Sequence, residues 1–254
     1  MQINILNESS MMMKFLKTFW LLFLILTAFS CHRQYQLPPE ESILIDHNFQ
    51  PMQSNRDESE FKFMYAGKVY GVKPQAHYEL RGLIVTTNNI YAFDDIYHDE
   101  TSVDLKDICV VWGTNLREKL YKGIEFWSEP WTCNWKTKDD DLYAEFRGDM
   151  ISNNHLLASD PAVQEKIRSL GFGDQVKVTG KLVDYYPAGQ PDRARKSSLI
   201  RTDEGNGACE VFFVENIEIL KAPNEIWRKL FKLGQWGSIA TLLAIVALFI
   251  KNPG

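Results

Sequence analysis

The strongest alternation of apolar and polar residues lies between Gly173 and Leu220. Val176, Val178, Gly180, Leu182 and Asp184 interleave with Lys177, Thr179, Lys181 and Val183. A period of two marks a strand with one buried face. Gly180 within it predicts a bulge, or a bend where a sheet curls. A polar connection runs from Pro187 to Lys196. Ser197 to Thr202 then reads as a second strand, Asp203-Glu204-Gly205-Asn206-Gly207 as a turn, and Ala208 to Leu220 as a third strand. In the second half of that third strand Val214, Asn216, Glu218 and Leu220 share one face, with Glu215, Ile217 and Ile219 on the other. A meander this rich in Val and Phe needs another layer to cover it.

Upstream, Glu60 to Tyr70 predicts one strand or a pair, and His77 to Thr87 another, with Tyr78, Leu80, Gly82, Ile84 and Thr86 on one face. Asn88-Asn89 marks a turn, and Tyr91 to Ser102 reads as an acidic, aromatic loop. Ile108 to Gly113 is a short apolar run suited to a central strand. Tyr121 to Trp127 and Trp131 to Lys136 flank Ser128-Glu129-Pro130 as a hairpin. Asp139-Asp140-Asp141 reads as a solvated loop. Asp160 is a good N-cap, Pro161 suits the first turn, and Gly171 the stop of a helix whose apolar stripe is Ala162, Val163, Ile167 and Leu170. Strands, then a helix, then a curling strand predict a mainly β, OB-like, partly open barrel over residues 59–222.

Both ends depart from this pattern. Lys14 and Lys17 precede the apolar run Phe19 to Cys31, so residues 1–31 read as an export signal or anchor. Ser30-Cys31 resembles the end of a bacterial lipoprotein signal, with Ala28 where that pattern prefers Leu. Lipidation of Cys31, ordinary cleavage and a retained anchor all stay open. Residues 32–58 are polar and read as a tether. Residues 236–250 are almost wholly apolar and predict a transmembrane helix, although about fifteen helical residues span only about 22 Å of a hydrocarbon core of about 30 Å. Lengthening backwards through the basic segment 223–235 remedies this if Lys232 snorkels. A buried or amphipathic C-terminal helix is the alternative. Arg228, Lys229 and Lys232 on the domain side suggest a cytoplasmic flank, whereas the N-terminal signal suggests a domain outside. The first segment usually dominates, so the expected placement is a bacterial cell membrane with the domain on its non-cytoplasmic side.

From Tyr35 to Asn224 the chain carries 21 Lys+Arg against 31 Asp+Glu, a net of −10. Such a body does not attract nucleic acid over its whole surface. Of the four cysteines, Cys31 is used up if lipidated. Cys109 and Cys133 fall on neighbouring predicted strands and are placed to pair, leaving Cys209; three buried thiols are the other reading. Neither these cysteines nor the histidines have the spacing of a metal site, and no cofactor is expected.

Several pieces together resemble one family. They are Asp107-Ile108-Cys109-Val110-Val111-Trp112-Gly113, Ser152-Asn153-Asn154-His155-Leu156, Asp160-Pro161-Ala162-Val163, Gly173-Asp174-Gln175-Val176, and Ser197-Ser198-Leu199 through Arg201, Asp203, Gly205 and Gly207 to Ala208-Cys209-Glu210. From about Tyr78 to Leu220 the chain resembles uncharacterised bacterial exported or membrane-tethered proteins. The resemblance implies domain limits and an envelope setting, and no activity. Relatives carry Trp-Arg shortly before the paired serines. Here the segment is Ala194-Arg195-Lys196, so that tryptophan's role does not carry over.

The candidate chemistry centres on His155 after Asn153 and Asn154, as a base or ligand-positioning group. The simpler alternative is that the asparagines make turns and His155 caps or packs locally. Ser197, Ser198, Arg201, Asp203 and Glu210 form a dense polar segment. A serine nucleophile there with His155 competes with a polar network that pins the hairpin, and no nucleophile elbow is present. Arg193, Arg195 and Lys196 make a basic tip which, with Trp112, Trp131 and Trp135, suits a stacking groove for single-stranded nucleic acid or glycan; a solvated loop with core tryptophans is the simpler alternative. The leading expectation is a membrane-tethered binding or scaffold module whose partner is an envelope protein or polymer, using Trp112, Asn154, His155, Ser198 and Arg201. The rival is a nuclease-like hydrolase using His155, Arg201 and Glu210, by fold analogy alone. Gathering of those three in one open pocket favours the enzyme; dispersal or burial in a closed network favours binding.

Overall fold

The structure, a computed structural model, describes residues 2–54, 58–88, 90, 102–203 and 208–251. The expected loop from Tyr91 and most of the turns at Asn88-Asn89 and Asp203 to Gly207 lie outside those residues. In chain order the elements are α1 (Gln2–Gln34), β1 (Met52–Ser54), β2 (Phe61–Tyr65), β3 (Lys68–Asn88), β4 (Lys106–Val111) and α2 (Thr114–Arg117). Then come β5 (Glu125–Glu129), β6 (Thr132–Lys136), α3 (Asp140–Glu145), β7 (Ile151–Leu157), α4 (Pro161–Ser169), β8 (Gln175–Pro187), β9 (Glu210–Lys221) and α5 (Glu225–Lys251). The chain divides into two compact units, one of Met1–Gln36 with Pro223–Gly254 and one of Leu37–Ala222.

The first unit pairs α1 with α5. Gly234 and Gly237 of α5 lie against Thr27 and Phe23 of α1, where any Cβ would collide. Small residues of this kind let two helix backbones approach closely. Trp227 meets Phe29 edge-on at 5.5 Å and carries the Arg33 guanidinium 5.1 Å from its ring centre. Met11–Gln34 and Glu225–Lys251 are both long and apolar enough to cross a membrane. The expected 15-residue span and its basic flank are one 27-residue helix, about 40 Å long, so the shortfall in length disappears.

The second unit is mixed α/β and mostly sheet. β3 pairs antiparallel with β1, β2, β4 and β8; β4 pairs with β7, β7 runs parallel to β9, and β9 pairs antiparallel with β8. The ladder therefore passes β3-β4-β7-β9-β8 and returns to β3. Ala66 and Gly67 turn β2 into β3 with φ of 47° and 76°, the paired positive values of a tight hairpin. The segments read separately as Glu60 to Tyr70 and His77 to Thr87 meet in β3, a single strand of 21 residues. It passes Pro74 at a register shift against β8, where a missing N–H is tolerated.

β4 is buried along its whole length, as the apolar run Ile108 to Val111 demands, while Lys106 donates to the Leu170 carbonyl at 2.6 Å and Asp107 pairs with His155. One core, around Tyr78, Ile84, Ile108, Trp112, Leu156 and Phe212, lies on one side of β3 and β4. A second, around Leu83, Val85, Cys109, Val111 and Phe146, lies under the separate β5-β6 hairpin. A disulfide joins Cys109 to Cys133, with Cα atoms 5.9 Å apart. α4 starts at its Asp160 cap, whose carboxylate accepts from the Ala162 and Val163 amides, and it buries Val163 and Ile167.

Several expectations are corrected. Ser197 to Thr202 forms no strand, because serine side chains take the backbone groups a ladder needs: the Val211 amide donates to Ser197 Oγ at 3.0 Å and the Ile200 amide to Ser198 Oγ at 3.1 Å. β9 does not keep strict alternation. Val214 faces Gly180 and Asn216 faces Thr179, so Glu215 is an extra residue, and Val214 and Ile217 are both buried. Asp139 is no loop residue but the N-cap of α3, accepting from the Asp141 and Leu142 amides. Part of the expected tether belongs to the sheet unit: Ile45 is buried in the second core, the Leu44 amide donates to Gln175 at 2.6 Å, and β1 pairs with β3. Asn153, Asn154 and His155 lie in a strand, β7, and not in turns.

Candidate functional site

A cleft of about 1230 Å³ opens between the β5-β6 hairpin tip, the approach to β7 and the connection from β8 to β9. The hairpin turns at Pro130-Trp131, with Trp131 at φ 74°. That turn carries the indole towards the connection, where the Arg195 guanidinium stacks over it at 4.4 Å. Around the opening lie Arg147, Arg195, Lys196 and Arg201, against Asp149 and Asp203. Arg147 is already engaged by Asp149 in two hydrogen bonds of 2.9 and 2.8 Å. The cleft is thus basic within an acidic body.

β7 forms its floor and separates two polar clusters, because successive side chains of a strand point to opposite faces. On one face the register with β4 sets Asn153 beside Cys109 and His155 beside Asp107. His155 is fully buried, with Nδ1 2.7 Å from Asp107 Oδ1 and Nε2 2.6 Å from Arg195 Nη2. Burial works against the imidazolium, but the Asp107 carboxylate favours it, and the ring is lifted to about 9 with Arg195 opposing. A guanidinium donates and cannot accept, so the Arg195 contact requires a bare Nε2. In this arrangement the ring is the neutral Nδ1–H form, and protonating it means parting from Arg195. Cys209 completes the face. Asn153 Nδ2 lies 3.5 Å from its sulfur, which donates to the Trp131 carbonyl at 3.3 Å. Burial raises the thiol, and the Asn153 hydrogen bond and the Arg195 charge oppose it; His155 lowers it only as the imidazolium, the form that has parted from Arg195.

On the other face the parallel pairing of β7 with β9 sets Glu210 beside Asn154. Asn154 is fully buried and donates to Ser152 Oγ at 2.9 Å. Burial lifts Glu210 to about 8, with Arg201 opposing. Arg201 donates to the Pro51 carbonyl. Ser198 Oγ donates to Asp203 Oδ2 at 2.6 Å, which ties together the second half of the connection.

The expected residues are thus dispersed. Arg201 lines the cleft, whereas Trp112, Asn154, His155, Ser198 and Glu210 are buried and do not. Trp112 is a core residue with no exposed surface, which removes it from a stacking groove. His155 and Glu210 occupy opposite faces of the sheet, so the hydrolase trio is not assembled. The serines are bonded to backbone groups of the connection and of β9 and to Asp203, and the group beside His155 is a thiol. Asn153, Trp131, Arg195 and Cys209 are the cleft residues that the expected site omits, although the basic tip and Trp131 were visible as features of the chain. Among the described residues no three His, Cys, Asp or Glu side chains are grouped to hold a metal ion. Comparison with known proteins finds no matching family model, no matching curated protein and no matching solved structure.

Proposed function

We propose that this chain is a membrane-anchored binding module of the bacterial cell envelope, with an OB-like barrel that holds an extended anionic polymer in its cleft. The cyclic ladder, the parallel β7-β9 contact and the placing of α4 between β7 and β8 support the barrel. OB barrels bind chains across the face of their second and third strands and the loop before their last strand. The cleft occupies the equivalent place, bordered by β7 and the β8-β9 connection. Two helices long and apolar enough to cross a membrane support the anchor. The Cys109–Cys133 disulfide supports an oxidising, non-cytoplasmic side. Membership of the exported family belongs to the same reading, with α1 retained as an anchor or, where Cys31 is lipidated, replaced by the lipid. The dispersal of His155, Arg201 and Glu210 favours binding over hydrolysis.

The carrying observation is the meeting of Trp131 and Trp135 with Arg195, Lys196 and Arg201 around one opening. Flat rings stack on indoles and anionic groups pair with the cations. The test is calorimetric titration of the full-length protein in detergent with a sulfated glycan, a neutral glucan of equal length and single-stranded DNA. The sulfated glycan is expected to bind, with affinity that falls as salt rises. Trp131→Gly, which keeps the positive φ, is expected to weaken it on the order of tenfold. Equal binding of the neutral glucan, or indifference to Trp131→Gly, overturns the reading; preference for DNA moves the ligand to nucleic acid.

A further inference from the structure

The two ends of the chain meet as an antiparallel helix pair. Position numbers rise along α1 as they fall along α5: Phe23 lies against Gly237, Thr27 against Gly234 and Phe29 against Trp227. Beyond the last of these the Asn224 side-chain amide donates to the Gln36 carbonyl at 2.9 Å, and Asn224 is only 5% exposed. A Cβ at Gly234 or Gly237 has no room because α1 is there. The outer faces are apolar and exposed, with Leu21, Leu22 and Ile25 on α1 and Leu243, Val246 and Phe249 on α5. Apolar side chains turned outward around a close-packed pair suit lipid.

These contacts bear on the fate of α1. A removable signal has an apolar region of about 7–15 residues, ended by a small-residue cleavage site. Here the apolar helix Met11–Gln34 has 24 residues. That is about 36 Å, enough for a hydrocarbon core of about 30 Å. The helix runs unbroken through Ser30 and Cys31 to Gln34. Ser30, on the amino side of the bond that lipoprotein processing cuts, is fully buried. Proteases cut exposed, locally unfolded chain and not a helix covered by its neighbour. Cutting at Ser30-Cys31 also removes Phe23, Thr27 and Phe29, and leaves the α5 glycines without the surface they fit.

We propose that α1 is retained as a membrane helix whose partner is α5, and that Cys31 stays an unacylated thiol within it. The anchor is then a two-helix hairpin, with Met11 and Lys251 on one side of the membrane. This rests on the membrane-anchored reading, within which cleavage, lipidation and retention of residues 1–31 were all open.

The test expresses the full chain in a bacterium and takes the protein from washed membranes. Intact mass is expected to show a chain that still contains Phe23 to Cys31, with no acyl group. Thr27→Cys with Gly234→Cys, in a background of Cys31→Ser and Cys209→Ser, is expected to form a disulfide on mild oxidation, since bridged cysteines need Cα atoms within about 7 Å. Thr27→Cys with Leu243→Cys, whose second position faces outward, is expected to form none. Phe29→Cys with Trp227→Cys, joined by a short bifunctional thiol reagent, covers the case in which a side chain at Gly234 prevents folding. A mature chain that begins at Cys31 with added acyl mass, or at any residue between Lys17 and Gln34, overturns retention. A retained chain that neither pair cross-links overturns the pairing. Release of the uncleaved chain by alkaline carbonate sinks the anchor reading itself, and this proposal with it. A chain cut at Cys31 but held by its lipid leaves the anchor reading standing and overturns only the proposal.

Discussion

Burial lifts the Glu210 carboxyl to about 8, with Cys209 and Asp203 adding to the rise and Arg201 opposing it. The folded chain therefore holds a proton there that the unfolded chain releases near the ordinary carboxylate value. Where the folded state binds more protons, stability falls as pH rises. The window runs from about 4.5 to about 8. Glu210→Gln keeps the shape and removes the proton, so it is expected to be more stable than the parent at pH 7 by roughly 3 kcal/mol. Urea unfolding of both proteins at pH 5 and pH 8 checks this, and an identical loss in both sinks it. Asp104, also raised by burial, contributes the same sign to both proteins and cancels in the comparison. At this scale the sequence offered polar candidates and not what surrounds them. His155 stood out as a candidate base, yet it is buried outside the cleft lining, and its partners Asp107 and Arg195 lie 48 and 40 residues away. No local pattern announces such partners.

Elements were legible where one strand's own pattern sufficed. β8 shows its buried face through Val176, Val178, Gly180 and Leu182, and the irregularity expected at Gly180 is present. A Cβ there would strike the Phe213 carbonyl of the neighbouring strand. Gly180→Ala is expected to cost about 2–3 kcal/mol, whereas Gly148→Ala, which meets nothing within 4 Å, is expected to stay within about 0.5 kcal/mol of the parent. Thermal unfolding of the two variants side by side decides it; equal losses remove the close-approach argument. β9 was misread because a bulge belongs to a pair of strands and not to one. Glu215 is an ordinary alternating residue until β8 lies beside it, and then it has no partner. Likewise the serines of the β8-β9 connection look strand-compatible in sequence and act as backbone caps in space.

At the scale of the whole molecule, the two apolar helices and the disulfide bear on placement. If the sheet-rich unit faces the oxidising side, a cysteine placed at exposed position 196 meets an external reagent. Lys196→Cys, in a chain with Cys209→Ser, is expected to react with a membrane-impermeant maleimide on intact spheroplasts. Labelling only after lysis places the unit in the cytoplasm and agrees with the basic residues Arg228, Lys229 and Lys232 instead. Length was one obstacle to a C-terminal span, and the continuous helix from Glu225 to Lys251 is long and apolar enough to cross a membrane.

What the chain determined by itself is local: apolar runs long enough for two helices, the continuous apolar run of β4, the period-two faces of β8, the Asp160-Pro161 helix start, and an acidic balance between the ends. Each is a property of neighbours in sequence, where side-chain spacing and backbone chemistry act directly. Only the tertiary structure decided the joining of β3 across Pro74, the bulge in β9, the docking of residues 37–54 and the meeting of Trp131, Asn153, Arg195 and Cys209 in one cleft. Those depend on which strand lies beside which, and pairing over long separations is set by the collective burial of the sheet and not by any single segment's pattern.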